Sequence, residues 1–338
     1  MLHWTTGTTQ LAVRASVAAM VSLALARYLQ FDYPIYAFLA AIIATDLTPQ
    51  QSTQLGIRRL IASVVGAACG ALASPVLPQA AWAIGFGILV AMFISQLLQV
   101  RTGAKMAGYI CAVVMLHYSS DPWTHALHRL LETVLGLIVA WTISYVPKLL
   151  HSEQAGAPPA LSPMTWSPVD GVRPNGTGLY GWGDLQLTLR VACAAALSIA
   201  AARLLELPYP VFAAVAAVVA TDLAPGVSRR VGLSRIITTV VGAVFAVLLG
   251  WLLPPYVWLI GLGTLLSMLA CQFAGASEGA KVAACVYGII MLMHGGDVLG
   301  FAFHRVIETG LGVVTAWAIS YVPKLIATET ETGGQETL

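Results

Sequence analysis

Charged side chains are scarce in this 338-residue sequence, in which Asp, Glu, Lys and Arg together make up only 9%. A soluble domain carries about 25% charged residues, so an ordinary soluble fold is excluded. Apolar residues account for 58% of the chain, and the mean hydropathy is +0.81. The formal net charge of +2 is too small to indicate a nucleic-acid partner. The composition therefore predicts a protein whose surroundings are a lipid bilayer.

Short motifs of enzymes and metalloproteins are also missing. The five cysteines fall in apolar runs and form no C-x-x-C pair, so neither a disulfide framework nor a zinc site is expected. The sequence contains no Walker A motif and no H-E-x-x-H motif. We therefore expect no enzyme activity, no cofactor and no metal, and transport driven by ATP would require another subunit.

What the chain does contain is an internal duplication. Residues 11–149 align without a gap with residues 187–325 at a constant offset of 176, and 60 of the 139 aligned positions are identical. The stretch HRLLETVLGLIVAWTISYVPKLL, for example, returns as HRVIETGLGVVTAWAISYVPKLI. A repeat of this length indicates two copies of one structural unit, and its symmetry constrains topology and site together.

Six apolar segments in each copy predict transmembrane helices. In the first copy they are 11–30, 33–48, 57–77, 80–99, 104–119 and 124–146, and the second copy shifts each by 176. Most approach the roughly 20 residues that a spanning helix needs, whereas the second and fifth are shorter. Short segments at matching places in two halves are typical of a transporter's binding site. The alternative is that the short segments only reflect a tilted neighbouring helix or a locally thinned bilayer.

We therefore predict an all-α integral membrane protein with twelve transmembrane helices, arranged as two six-helix repeats. Lys and Arg cluster after the second, fourth and sixth segments of each copy, and the short loops on the opposite side contain none. By the positive-inside rule, the clustered side and both termini are cytoplasmic. Because six is even, the repeats run parallel, related by a pseudo-two-fold axis along the membrane normal. The predicted domains are a first membrane repeat (1–150), a cytoplasmic linker rich in Pro, Gly and Ser (151–186), a second membrane repeat (187–326) and a disordered polar tail (327–338).

The pattern H-R-x-x-E-T in the sixth segment places Arg129 and Glu132 in the first copy and Arg305 and Glu308 in the second. If this helix begins near Trp123, Glu132 lies roughly 14 Å deep, close to the bilayer midplane. Charges at that depth are costly unless they are paired or hydrated. One interpretation is that the arginines bind an anion while the glutamates take up and release protons. The alternative is an ion pair between residues three apart that fixes this helix to a neighbour.

The pattern T-D-L-x-P ends the second segment and supplies Asp46 and Asp222 as further candidates for proton coupling. They lie close in sequence to Arg59 and Arg235, which join the predicted anion-binding residues. The alternative is a turn in which the aspartate accepts hydrogen bonds from backbone N–H groups ahead of the proline.

The pattern G-A-K begins the fifth segment and places Lys105 and Lys281 in the first turn of a helix. The N-terminus of a helix binds anions, and a lysine there adds positive charge where a carboxylate would enter. The alternative is a simple cytoplasmic anchor. Aromatic residues recur as well, for example at Tyr36 and Phe212, and predict belts at the membrane–water interface.

Three stretches together, RRLIASVVGAACGAL, GYICAVVML and HRLLETVLGLIVAW, resemble the fusaric acid resistance (FUSC) and aromatic acid exporter family. The plant aluminium-activated malate transporters are more distant relatives. The resemblance covers nearly all of both repeats and rests best on the pattern R-x-x-E-T-x-x-G at 129–136. The chain departs from the R-x-x-G-T pattern usual in the third segment, where it has R-L-I-A-S and R-I-I-T-T.

The resemblance implies an exporter of aromatic or other organic carboxylates, driven by the proton-motive force, in which six-helix units pair around a central pathway. We predict a secondary transporter in the bacterial inner (plasma) membrane whose substrate is a small organic anion. A passive organic-anion channel and a non-transporting scaffold subunit remain alternatives. Association into a homo-oligomer or with a periplasmic adaptor protein is also left open.

Overall fold

The computed structural model of the protein describes residues 6–98, 100, 103–116, 121–146, 181–252, 254 and 256–322. Twelve α-helices and no β-strand are found in these ranges. The first half of the chain contains α1 (Thr6–Tyr28), α2 (Ile35–Ala44), α3 (Pro49–Ala73), α4 (Ala81–Leu97), α5 (Ala104–Leu116) and α6 (Pro122–Ser144). The second half contains α7 (Trp182–Leu204), α8 (Pro210–Ala220), α9 (Pro225–Leu252), α10 (Val257–Phe273), α11 (Ala280–Met293) and α12 (Val298–Ser320).

Six of these helices, α1, α3, α6, α7, α9 and α12, are long and apolar enough to cross a membrane. The others are shorter, and α2 has only 10 residues. At 1.5 Å per residue α2 reaches roughly 15 Å, about half the hydrocarbon thickness of a bilayer. The predicted segment 33–48 is therefore only partly helical. The helix ends because Thr45 is extended (ψ 130°) and Thr48, which precedes Pro49, is extended as well.

The helix α3 begins at Pro49, several residues before the predicted start of the third segment. Its N-cap is Thr48, whose hydroxyl accepts a hydrogen bond from the Gln51 N–H at 3.3 Å, and proline is well suited to the first helical position. The helix α7 begins at Trp182, inside the range predicted as linker. The rest of that linker up to residue 180, and the predicted tail 327–338, lie outside the described residues.

Contacts in the first half recur in the second half at the same offset of 176. The hydroxyl oxygens of Ser52 in α3 and Ser144 in α6 lie 2.6 Å apart, and those of Ser228 and Ser320 are also 2.6 Å apart. The indole N–H of Trp141 donates to the Ser52 carbonyl at 3.2 Å. The same polar contacts therefore join α3 to α6 and α9 to α12.

The two halves pack against each other through α1 with α10, α4 with α7, α2 with α11, and α5 with α8. Phe38 in α2 is fully buried, and its ring fills the space where a side chain at Gly288 in α11 would stand. The short helices thus meet helices of the opposite half, and they bring the T-D-L and G-A-K patterns to this boundary.

Polarity is inverted relative to a soluble protein. Large apolar side chains such as Phe86 and Phe303 are more than half exposed, at 53% and 63%. Charged side chains in the same helical bundle are buried: Arg59, Arg129, Glu132, Arg305 and Glu308. Soluble proteins seldom bury such groups, whereas membrane proteins turn ionisable residues toward the interior of the bundle. The arrangement fits a helical bundle surrounded by lipid.

Two glycines allow α6 and α12 to pack closely against the short helices α2 and α8. A Cβ atom at Gly136 in α6 would collide with the backbone carbonyl of Ala37 in α2. A Cβ atom at Gly312 in α12 would collide in the same way with Ala213 in α8. Because small residues permit close helix packing, these contacts bring the side chains of the H-R-x-x-E-T pattern to the N-terminal ends of α2 and α8.

Candidate functional site

An arginine stacked on an aromatic ring marks the contact between α6 and α2. The guanidinium carbon of Arg129 lies 4.0 Å from the centre of the Tyr36 ring. The neighbouring Glu132 accepts a hydrogen bond of 2.7 Å from the backbone N–H of Tyr33, just before α2. A carboxylate is favourable at this end of a helix because the N–H groups there are unpaired and the dipole is positive.

The same arrangement occurs in the second half, between α12 and α8. The guanidinium carbon of Arg305 lies 3.8 Å from the centre of the Phe212 ring. Glu308 accepts a hydrogen bond of 2.8 Å from the backbone N–H of Tyr209. A planar guanidinium is suited to such stacking, which an ammonium group cannot reproduce. We call the two arrangements the α6 site and the α12 site.

The rings around the two sites differ. In the α6 site, the Tyr33 ring packs edge-on against His125 with centroids 4.8 Å apart. In the α12 site the equivalent ring of Tyr209 packs against Phe301 at 4.7 Å. With Phe212 in place of Tyr36, the α12 site is lined by more apolar rings than the α6 site.

Several polar atoms of these sites have no hydrogen-bond partner in the described part of the chain. They are Arg129 Nη1, Arg305 Nε and Nη1, and the Oε2 atoms of Glu132 and Glu308. No ion pair joins Arg129 to Glu132 there, although the spacing allows one. Buried donors and acceptors without partners are costly, so these atoms are available to a ligand or to water.

Arg59 in α3 is a further buried cation, and Arg235 in α9 is partly buried. Arg59 is only 4% exposed, and its Nε and Nη1 atoms lack partners among the described residues. Arg235 Nε is also without a partner there, and this side chain interacts electrostatically with Arg305. The positive charge around the α12 site is therefore greater than one arginine supplies.

The lysines of the G-A-K pattern reach across the boundary between the halves. Lys105 in α5 donates to the Thr221 carbonyl at 2.7 Å and lies 3.6 Å from the carboxylate of Asp222. Lys281 in α11 lies equally close to the end of α2, 3.5 Å from the carboxylate of Asp46. A cation at this end of a helix binds its free carbonyl oxygens and stabilises its dipole.

Both aspartates also form local turns, which was the alternative interpretation of the T-D-L pattern. Asp46 Oδ1 accepts from the Leu47 N–H at 2.7 Å, and Asp222 Oδ1 accepts from the Ala224 N–H at 3.3 Å. The remaining oxygen of each carboxylate faces the lysine of the opposite half. A turn and an ion pair therefore use the same side chain.

Apart from Arg59 and Arg235, the predicted site residues thus fall into two groups. Arg129, Glu132 and their counterparts lie at the N-terminal ends of α2 and α8, and the lysine–aspartate pairs lie at the C-terminal ends. The length of α2 separates the groups by roughly 15 Å. Tyr36 and Phe212 were predicted to lie in interface belts, whereas their rings lie against the guanidinium groups of Arg129 and Arg305. Each of these residues lies 93 positions before the arginine that it contacts, and no pattern in the sequence pairs the two helices.

No three His, Cys, Asp or Glu side chains come together as a metal-ligand set within the described ranges. The chemistry of the two sites is that of cationic donors, aromatic rings and carboxylates. This combination suits the binding of an organic anion and the exchange of a proton.

A comparison with protein families finds a match in both halves of the chain. The model described as aromatic acid exporter family member 1 matches residues 9–146 and 186–322, so it covers both halves of the chain. No curated protein and no solved structure matches the chain.

Proposed function

Because the chain belongs to the aromatic acid exporter family, we propose that it is a secondary transporter that exports small aromatic carboxylates in exchange for protons. Its apolar helices and its family make it a multi-pass membrane protein.

The observation that carries the proposal is the pair of buried arginines stacked on aromatic rings. Arg129 on Tyr36 and Arg305 on Phe212 each have at least one guanidinium nitrogen without a hydrogen-bond partner among the described residues. A guanidinium presents N–H donors in a fork that matches a carboxylate. The adjoining rings offer faces against which the ring of an aromatic acid packs. One site therefore accommodates both the acidic and the aromatic part of the substrate.

The glutamates supply the proton exchange. In each site one carboxylate oxygen is held by a backbone N–H, and the other has no partner among the described residues. In such a site the ionised glutamate and the substrate anion compete for the positive charge of the arginine. Binding of the anion therefore favours protonation of the glutamate, and release of the anion favours loss of that proton. We therefore assign proton coupling first to Glu132 and Glu308. Asp46 and Asp222 are the further candidates for proton coupling, at the opposite ends of α2 and α8.

We place the helices in the membrane as two parallel six-helix repeats, with the termini in the cytoplasm of a bacterial cell and the protein in its inner membrane. The contacts that recur at an offset of 176 support this symmetry. Since α2 and α8 are too short to cross a bilayer alone, their segments cross together with the non-helical residues on either side. Reporter fusions at the two termini would test the orientation.

The decisive experiment is uptake of radiolabelled 4-hydroxybenzoate into inverted membrane vesicles that contain the protein. We expect saturable uptake that requires an acidic vesicle interior and stops when an ionophore collapses the pH gradient. Uptake that ignores the pH gradient and follows the anion gradient would instead favour a passive organic-anion channel. Absence of uptake above that of vesicles lacking the protein would contradict the export of aromatic acids.

A further inference from the structure

In the first half of the chain, the loop that joins α1 to α2 is bound to α6 by two neighbouring residues. Asp32 Oδ2 lies 2.6 Å from Nδ1 of His128. The next residue, Tyr33, donates its backbone N–H to Glu132 Oε1 at 2.7 Å. His128 and Glu132 both belong to α6. The loop therefore carries a second acidic group to the buried glutamate of the α6 site.

These side chains form a line from the surface of the protein to its interior. The side chains of Asp32 and His128 are 59% and 41% exposed, whereas Glu132 is fully buried. His128 and Glu132 are four residues apart, so they share one face of α6, with Cβ atoms about 6 Å apart. Glu132 Oε2 has no hydrogen-bond partner among the described residues. A proton on His128 is therefore one helical turn away from an acceptor that is buried.

The line begins on the side of the membrane that is predicted to face outward. The loop follows the first apolar segment, and the clusters of Lys and Arg lie at the other side. The remaining titratable groups close to it are Arg27 and Tyr28 at the end of α1, Tyr33 and Tyr36 at the start of α2, and His125 and Arg129 on α6. Asp32 and His128 are thus the groups that join the outer surface to Glu132.

The second half differs at three equivalent positions, each 176 residues further on. The replacements are Pro208 for Asp32, Phe212 for Tyr36 and Phe301 for His125. Each of them removes a side chain that donates or accepts a proton. His304, the equivalent of His128, has its Nδ1 atom 2.8 Å from the Gly300 carbonyl of its own helix. The α12 site therefore keeps its glutamate but has no acidic residue in the loop before α8 to match Asp32.

We propose that Asp32 and His128 relay protons between the outer solution and Glu132, and that the second half lacks this route. The inference rests on the proposed function, because it names the path by which an exchanged proton reaches one of the two glutamates. A histidine suits this role, since a neutral imidazole accepts a proton at one nitrogen and donates one from the other.

The relay returns to its starting state after each proton. Asp32 takes a proton from water on the outer side and passes it to Nδ1 of His128. The other ring nitrogen, Nε2, then releases its own proton to Glu132 Oε2, directly or through one water molecule. Rotation of the ring restores the first tautomer. The net change is one proton removed from the outer water and one added to the carboxylate of Glu132.

The test separates the steps that move protons from the steps that move the substrate. In inverted membrane vesicles, uptake of labelled 4-hydroxybenzoate driven by a pH gradient consumes protons from the lumen, which contacts the outer face. Exchange of labelled for unlabelled 4-hydroxybenzoate at equal pH consumes none. We expect Asp32→Asn and His128→Gln to lower the gradient-driven rate by about tenfold or more and to keep the exchange rate of the wild type.

Two further variants serve as controls. Asp32→Glu retains a carboxylate at the start of the relay, so it should keep most of the gradient-driven rate. His304→Gln removes the equivalent histidine from the half whose loop carries Pro208, and it should leave both rates unchanged. Acidification of the lumen gives a second readout. It should partly restore gradient-driven uptake in Asp32→Asn, because protons then reach His128 directly from water.

Two outcomes would overturn the inference. One is a wild-type gradient-driven rate in both Asp32→Asn and His128→Gln. The other is an exchange rate that falls as far as the gradient-driven rate, which would mean that the contact between Asp32 and His128 only maintains the structure. Wild-type vesicles that show neither uptake nor exchange would instead refute the proposed function, so the two failures are distinguishable.

Discussion

The ammonium group of Lys281 donates a hydrogen bond of 2.6 Å to the carbonyl oxygen of Thr45, in the opposite half of the chain. Thr45 is the residue at which α2 ends, so the lysine caps the C-terminus of a helix that is not its own. The position at the start of α11 is electrostatically unfavourable for a lysine, and the C-terminal end of α2 compensates for it. The equivalent bond from Lys105 to Thr221 does the same for α8.

Replacement of Lys281 by methionine should therefore weaken the contact between the halves. The variant leaves the Thr45 carbonyl and the Asp46 carboxylate without their cation, and hydrogen bonds to charged groups contribute about 2 kcal/mol. We expect the free energy of unfolding to fall by about that amount in denaturant titrations of the purified protein. Lys105→Met should give a similar loss, and in Lys281→Met with Asp46→Asn the combined loss should be smaller than the sum of the two single losses. Unchanged unfolding in both lysine variants would contradict this role.

Gly312 and Gly310 form a matched pair on α12. A Cβ atom at Gly312 meets the backbone of α8, whereas nothing lies within 4 Å of a Cβ atom at Gly310. Gly312→Ala should lower the free energy of unfolding by about 1–3 kcal/mol through overpacking. Gly310→Ala should leave it unchanged or raise it by up to about 1 kcal/mol, because alanine favours a helix. Thermal unfolding of both variants checks the contrast, and equal effects would refute the close approach of α12 to α8.

Glu132→Gln and Glu308→Gln should separate folding from proton coupling. The amide oxygen of glutamine still accepts the hydrogen bond from Tyr33 or Tyr209, but the side chain no longer ionises. We expect the double variant to fold and to lose uptake of 4-hydroxybenzoate that depends on the pH gradient. Glu278→Gln is the control, since this glutamate is exposed and pairs with Arg230. Gradient-dependent uptake that persists in the double variant would remove the two glutamates from the mechanism.

Arg305→Lys retains the positive charge but not the planar group that stacks on Phe212. An ammonium group has neither the fork of N–H donors nor the flat face, so charge alone should not restore binding. We expect the KM for 4-hydroxybenzoate to rise by about tenfold, a loss of about 1.4 kcal/mol. Phe212→Leu should weaken binding by a smaller factor, because it removes only the ring beneath the guanidinium. A wild-type KM in Arg305→Lys would show that this arginine acts only as a charge.

The sequence was sufficient for the helices because each depends on local features. Apolar runs, prolines and caps placed α1, α4, α5 and α6 within a few residues of the predicted segments. The length of α2 was harder to predict, since Thr45 and Asp46 continue an apolar segment but have extended or turn geometry. The family, too, could be identified from short motifs before any contact was known.

What the sequence determined by itself is the duplication, the membrane environment, the family and the residue types that would carry chemistry. The tertiary structure decided their partners. Arg129 faces a ring rather than Glu132, and Lys281 binds the end of α2. No periodic pattern in the sequence predicts these contacts, because each of them joins two different helices. How two helices pack depends on their shapes and on small residues throughout the bundle. Composition and spacing follow from single segments, whereas a site between segments exists only after they pack.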